Sequence, residues 1–222
     1  MISPLLANVF LHYVLDKWFQ EDVQPRLAGR AYLIRYADDF VIGFTDERDA
    51  HRVMDVLPKR FERYGLKLHP TKTRLVRFQK PNDRDESSGK PGSFDLLGFT
   101  HDWGRSLRGS WVVKRKTSDS RLSRALRTIN QWCGKNRHEP LAEQQQALSR
   151  KLRGHCAYYG ITGNSNSLSA FRLWVVRTWR RWLSRRNRER GMTWERFNKL
   201  LERYPLPAAV AIHSACRHAA KP

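Results

Sequence analysis

Apolar residues recur at helical spacing near the start of the chain: Leu6, Val9, Phe10, Tyr13, Val14 and Trp18. This predicts a first helix, with Ser3 as N-cap and Pro4 in the first turn, fading near 20–23. The period then changes. Residues 32–44, YLIRYADDFVIGF, are two short apolar runs around a polar break at Ala37, Asp38 and Asp39, the pattern of two strands and a turn. Asp46 caps a helix reaching Tyr64, with Val53, Val56, Leu57 and Phe61 inward, a kink expected at Pro58, and a stop at Gly65. Residues 73–78, 94–100 and 110–116 have strand character, the last two flanking a turn, and 79–93 is a loop rich in Pro, Gly, Ser and charge.

From about residue 117 the period is helical throughout. Leu122, Ala125, Leu126, Ile129 and Trp132 mark one helix over 120–134. Pro140 opens a second that ends by Gly154. A third spans 167–189, with Leu168, Phe171, Trp174, Val175, Trp179, Trp182 and Leu183 inward. Thr193 caps a short fourth that stops before Pro205, and the pattern weakens from Pro207. The fold class is therefore α+β: mixed strands and helices first, an all-helical part afterwards, with the boundary near 105–117.

Charge sharpens that division. The 222 residues carry 42 Lys+Arg against 21 Asp+Glu, a formal net charge of +21. Residues 1–100 hold 16 basic and 14 acidic side chains, whereas 101–222 hold 26 and 7. The excess lies in the helical half, and a polyanion is the plainest partner for it, nucleic acid before an anionic membrane. No apolar run is long enough to span a membrane as a helix. Cys133, Cys156 and Cys216 form no CxxC pair, which fits reduced thiols in a cytoplasm. Cys133, His138, His155 and Cys156 match no ordinary zinc spacing.

Asp38 and Asp39 are the sharpest chemical feature. Adjacent carboxylates at a turn repel each other unless a cation joins them. Mg²⁺ takes one or two carboxylates together with substrate phosphates, while an isolated Asp-Asp is more often a solvated hairpin tip. The neighbours decide between these. Tyr36-Ala37-Asp38-Asp39, extended to RYADDF by Arg35 and Phe40, resembles the catalytic hairpin of group II intron-encoded reverse transcriptases. SPLLANVFL at 3–11 is similar to that family's SPLLANxxL helix. GLKLHPTKT at 65–73 resembles its GLxLxxxKT segment, and FDLLGF at 94–99 its FxFLGF strand. Leu152-Arg153-Gly154 with Tyr158-Tyr159 resembles the LRGWxxYF signature of the maturase, or thumb, domain, with His155 where the signature has Trp. Trp179-Arg180-Arg181-Trp182-Leu183 and Thr193-Trp194-Glu195-Arg196-Phe197 continue the likeness.

The resemblance implies a partial polymerase palm over 1–105 and a basic helical thumb/maturase domain over 106–222. It implies RNA-directed DNA synthesis by two-metal nucleotidyl transfer, from dNTPs to a DNA primer on an RNA template, with intron RNA binding and splicing assistance. Asp38 and Asp39 would hold Mg²⁺ or Mn²⁺. Asn8 and Lys72 stand at positions that meet the nucleotide, and Leu97 and Gly98 beside the primer. Lys114, Arg115, Lys116, Arg150, Lys151, Arg153, Tyr158 and Tyr159 are candidate RNA contacts. So are Arg172, Arg177, Arg180, Arg181, Arg185 and Arg186, which have almost no acidic residue beside them in sequence. Trp174, Trp179 and Trp182 are expected in the core.

The family's SPLLAN helix follows a PQG segment, the fingers and a strand bearing a first catalytic Asp. Met1-Ile2 stands where that segment ends, so two of three metal-binding carboxylates are found. Asp16, Glu21 and Asp22 do not replace the third. The expectation is the C-terminal part of a polymerase, inactive alone. It would act as an RNA-binding maturase fragment, or as half of a split enzyme completed by a separate fingers polypeptide. The intron recognised and the oligomeric state are not legible.

Overall fold

The computed structural model describes residues 3–81, 92–106, 108–186 and 191–213. Its contacts divide the chain into two compact units, at Leu97/Gly98. The 105/106 boundary implied by the resemblance falls just after β4, in the link of the β4–β5 hairpin described below.

In the first unit, α1 (Ser3–Leu11) continues through π-helical turns at His12–Lys17 and Phe19–Val23 into a 3₁₀ turn at Gln24–Arg26. Val14, Leu15, Trp18 and Phe19 on these wider turns are buried, and Arg60 Nε donates to the Val14 carbonyl at 3.1 Å. Strands β1 (Ala31–Tyr36) and β2 (Asp39–Phe44) pair antiparallel, Leu33 opposite Ile42 and Tyr36 opposite Asp39. Alternation puts Ala31, Leu33, Phe40, Ile42 and Phe44 on the core side and leaves Tyr32, Ile34 and Tyr36 exposed.

Helix α2 (Glu47–Glu62) starts at Asp46, whose carboxylate accepts from the Arg48 amide at 2.8 Å. It passes through Pro58 and buries Val53, Leu57 and Phe61. It ends in a Schellman motif. The Leu66 amide bonds the Phe61 carbonyl and the Gly65 amide the Glu62 carbonyl, both at 3.0 Å, with Gly65 left-handed at φ 71°. The strand expected at 73–78 does not form. One backbone bond, Gly92 to the Arg77 carbonyl, reaches this stretch from 92 onward, and one bond makes no ladder. The stretch 94–100, read as one strand, is interrupted. β3 (Phe94–Leu96) ends at a turn where Leu97 and Gly98 take φ of 52° and 80°. The loop at 79–93 lies mostly outside the described residues.

In the second unit, β4 (Phe99–Arg105) and β5 (Trp111–Thr117) form an antiparallel hairpin, Phe99 opposite Thr117. Helices α3 (Asp119–Lys135), α4 (Leu141–Tyr159), α5 (Ser165–Ser184) and α6 (Trp194–Arg203) follow. Ile129, Leu148, Leu152, Val175, Trp179 and Phe197 centre their core. Each fully buried side chain of this size contributes about 1.5–3 kcal/mol. The Trp179 indole donates to Gln144 Oε1 at 2.9 Å, and Gln144 Nε2 donates to the Glu139 carbonyl at 2.8 Å, so these two buried polar side chains are paired.

Helix α4 does not stop at Gly154. The inward stripe Leu148, Leu152, His155 continues past it, and Gly154 faces outward with open space where a side chain would stand. Packing of that stripe outweighs the cost of one helical glycine, about 1 kcal/mol. Helix α5 ends at Ser184; Arg188 and Arg190 lie outside the described residues. Asn164, buried before α5, accepts from the Thr117 amide at 3.0 Å. Its Nδ2 donates to Thr117 Oγ1 at 2.9 Å and to the Tyr159 carbonyl at 2.8 Å, locking the end of the hairpin to the end of α4.

Candidate functional site

The β1–β2 turn presents the two carboxylates. Two residues, Ala37 and Asp38, link the paired Tyr36 and Asp39. Ala37 alone of the two is left-handed, at φ 52°, as expected of the first central position of a tight hairpin turn. An alanine there stores about 1–2 kcal/mol of backbone strain. Asp38 and Asp39 are both exposed, and neither has an ion-pair or hydrogen-bond partner among the described residues.

Arg35, in the same motif, holds the turn. Its side chain is 14% exposed, and Nε and Nη2 take both oxygens of Asp16 at 2.7 and 2.6 Å. Nη1 donates to the Ala37 carbonyl at 2.9 Å and to Asn8 Oδ1 at 3.0 Å. The first helical run and the carboxylate turn thus share one guanidinium. The Arg35 hydrogen bonds hold the Asp16 carboxyl below the usual carboxylate range, against the opposing effect of burial. Asp16 is therefore committed to Arg35.

This clamp was missed in the sequence. Its signals were an arginine at an inward position of a strand, and a polar stripe Asn8, His12, Asp16 at four-residue spacing along an apolar helix. Of the residues expected at the nucleotide, Asn8 gives its carbonyl oxygen to Arg35, and Lys72 sits exposed on the turn after His69.

Two exposed carboxylates are hard oxygen donors and fit a Mg²⁺ that draws its other ligands from phosphate and water. Among the described residues no three His, Cys, Asp or Glu side chains gather into a metal cluster.

In the second unit, Gly98 at the expected primer position has a local reason to be glycine. A Cβ there would meet the Tyr159 hydroxyl at 3.0 Å. Tyr158 stacks on Phe99 with centroids 6.0 Å apart, and Tyr159 meets Phe99 edge-on at 5.3 Å. Burial raises the Tyr159 pKa while Arg121 and Arg124 pull it down. Lys114 and Lys116 share the exposed face of β5, with Lys116 3.6 Å from Asp102, while Arg115 is half-buried on the other face. Arg150 and Arg153 are exposed on α4, and Lys151 lies over the Trp132 ring at 5.7 Å.

The arginines of and just after α5 divide. Arg172 donates to the Pro207 carbonyl at 2.9 Å and Arg186 to the His138 carbonyl at 2.8 Å. Arg180 donates to the Met192 carbonyl at 2.6 Å and lies over Trp194. Arg181 takes Asn130 Oδ1, and Arg185 lies over Trp182. Acidic residues are not the only partners available, because carbonyls and aromatic faces also absorb guanidinium groups. Arg177 is exposed and has none of these among the described residues. Trp179 is fully buried as expected, but Trp174 is 51% exposed.

Residues 1–101 match the family model described as reverse transcriptase (RNA-dependent DNA polymerase), and residues 122–201 match that of the group II intron, maturase-specific domain. A comparison with curated proteins found no match. No helix among the described residues is long and apolar enough to cross a membrane.

Proposed function

As this chain belongs to the group II intron-encoded reverse transcriptase/maturase family, we propose that its first part, residues 1–105, is polymerase palm and that 106–222 is an RNA-gripping thumb/maturase domain. The palm part serves nucleotidyl transfer from dNTPs to a primer on an RNA template. The observation that carries this is the Arg35 clamp, which fixes the turn bearing two unpartnered carboxylates, Asp38 and Asp39.

Asp38 and Asp39 hold divalent metal. A bound Mg²⁺ would neutralise phosphate charge and lower the pKa of the primer 3′-hydroxyl. The Nδ2 of Asn8 and the amine of Lys72 contact the incoming nucleotide, and the Leu97–Gly98 turn contacts the primer. The exposed cations Lys114, Lys116, Arg150 and Arg153 take phosphates of the template duplex and of intron RNA. Tyr158 adds an aromatic face to that surface.

Helix α5, with four arginines and no acidic residue, favours a second reading: a maturase-type RNA binder that does not itself synthesise DNA. One experiment separates the two. Primer extension on an RNA template with Mg²⁺ is run beside RNA binding in the same tubes. Synthesis that Asp38→Asn abolishes, with RNA affinity unchanged, supports the polymerase. Tight RNA binding without synthesis supports the second reading. Synthesis by Asp38→Asn at the wild-type rate removes the carboxylate site, and RNA affinity indifferent to salt removes the nucleic-acid role.

A further inference from the structure

Among the described residues Trp174 is the one tryptophan with no hydrogen-bond, ring or cation partner. Trp179 and Trp182 donate to Gln144 and Asn130. Trp18, Trp111, Trp132 and Trp194 lie beside cations, and Trp103 is engaged as well. Trp174 is 51% exposed beside Leu173, itself 45% exposed. An indole left half in water on a well-packed helix forgoes burial that its neighbours on the inner face of α5 gain.

The charges on its own helix have one sign. Helix α5 carries four arginines and no acidic residue. Three of these, Arg172, Arg180 and Arg181, donate to carbonyl oxygens of the unit itself. Arg177 is the fourth, three residues from Trp174 on the same exposed face and without a partner among the described residues. Residues three apart on a helix are surface neighbours, about 5–6 Å between Cβ atoms. Each nucleotide of a single strand offers a flat base with a phosphate close by, which matches an indole beside a guanidinium.

We propose that Trp174 is a stacking platform for an unpaired RNA base and that Arg177 takes the adjoining phosphate. This rests on the reading of the second unit as RNA-binding and names the part of RNA it meets there: a single-stranded nucleotide rather than a duplex. A protein partner would cover Leu173 and Trp174 but would have to bring acidic groups to a helix that carries none of its own.

The test measures affinity for three probes at two salt concentrations: a short oligoadenylate, an oligomer of equal length with abasic central positions, and a short RNA duplex. Trp174→Ala is expected to weaken oligoadenylate binding about tenfold, with Trp174→Phe retaining most of it. The abasic oligomer should bind the wild-type chain as poorly as oligoadenylate binds Trp174→Ala. Duplex affinity should not respond to Trp174. Arg177→Gln should lower the salt slope on oligoadenylate by about 0.7. Equal oligoadenylate affinity in Trp174→Ala and wild type overturns the proposal while leaving the RNA-binding reading intact. A change of sedimentation in Trp174→Ala, with RNA affinity unmoved, assigns the face to a protein contact and also overturns it. Wild-type chain that binds none of the three probes at low salt removes the RNA-binding reading itself.

Discussion

Arg35 binds both oxygens of Asp16, at 2.7 and 2.6 Å, and with its remaining nitrogen reaches the Ala37 carbonyl at 2.9 Å. The carboxylate turn is thus held by a residue four positions before Asp39 in sequence and by the helical run before it. Asp16→Asn leaves a mostly buried guanidinium without its counter-charge and should destabilise by about 2 kcal/mol in denaturant unfolding. Because the folded Asp16 pKa is depressed, its contribution is present above the unfolded value of 3.8 and is lost as pH falls through the folded one. Arg35→Lys keeps the charge but loses the fork. On the proposed palm reading, it should lower primer extension while circular dichroism shows the fold retained.

Ala37 is an alanine in a conformation that suits glycine. Ala37→Gly removes about 1–2 kcal/mol of strain and costs about 0.5–1 kcal/mol in unfolded-chain entropy. The net expectation is a small rise in the unfolding midpoint. A fall would show that the turn is not strained.

His155 is buried in α4, its ring stacked on Phe171 at 3.8 Å and its Nε2 unpartnered. Burial pushes its pKa from 6.5 down to about 4. The folded chain therefore holds fewer protons than the unfolded chain between these values. Stability is full above pH 6.5 and falls by about 2–3 kcal/mol as pH drops to 4. His155→Phe should flatten this slope when unfolding is followed across that range, and an unchanged slope would assign the acid sensitivity elsewhere.

Gly154 is exposed in the middle of α4 with nothing near its missing side chain. Gly154→Ala should stabilise by about 0.5–1 kcal/mol, read as a rise in the thermal midpoint of the helical unit, without altering RNA affinity.

Helices with a full apolar stripe were legible from spacing alone. Leu122 to Trp132 predicts α3, and Leu168 to Leu183 predicts α5 within a few residues. The YADD hairpin was legible from alternation on either side of a polar break, and the matched family models bear out the motif-based family reading. Three features were hidden for physical reasons. A stretch with strand periodicity forms no ladder when a single backbone bond is all that reaches it from 92 onward, as at 73–78. A glycine such as Gly154 mimics a helix stop until the packing on both sides is known. Arginines paired with carbonyls, such as Arg172 with Pro207, leave no mark in a count of opposite charges.

The Asn164 lock sets an order of events. The β4–β5 hairpin is local, but Asn164 lies 47 residues from Thr117, and its two bonds to Thr117 cannot close until α3 and α4 have formed and turned. Contacts that close last are absent from the folding transition state. Asn164→Ala should then leave the refolding rate nearly unchanged and accelerate unfolding. The junction where strands give way to helices governs the lifetime of the folded state and has little bearing on how fast it is reached.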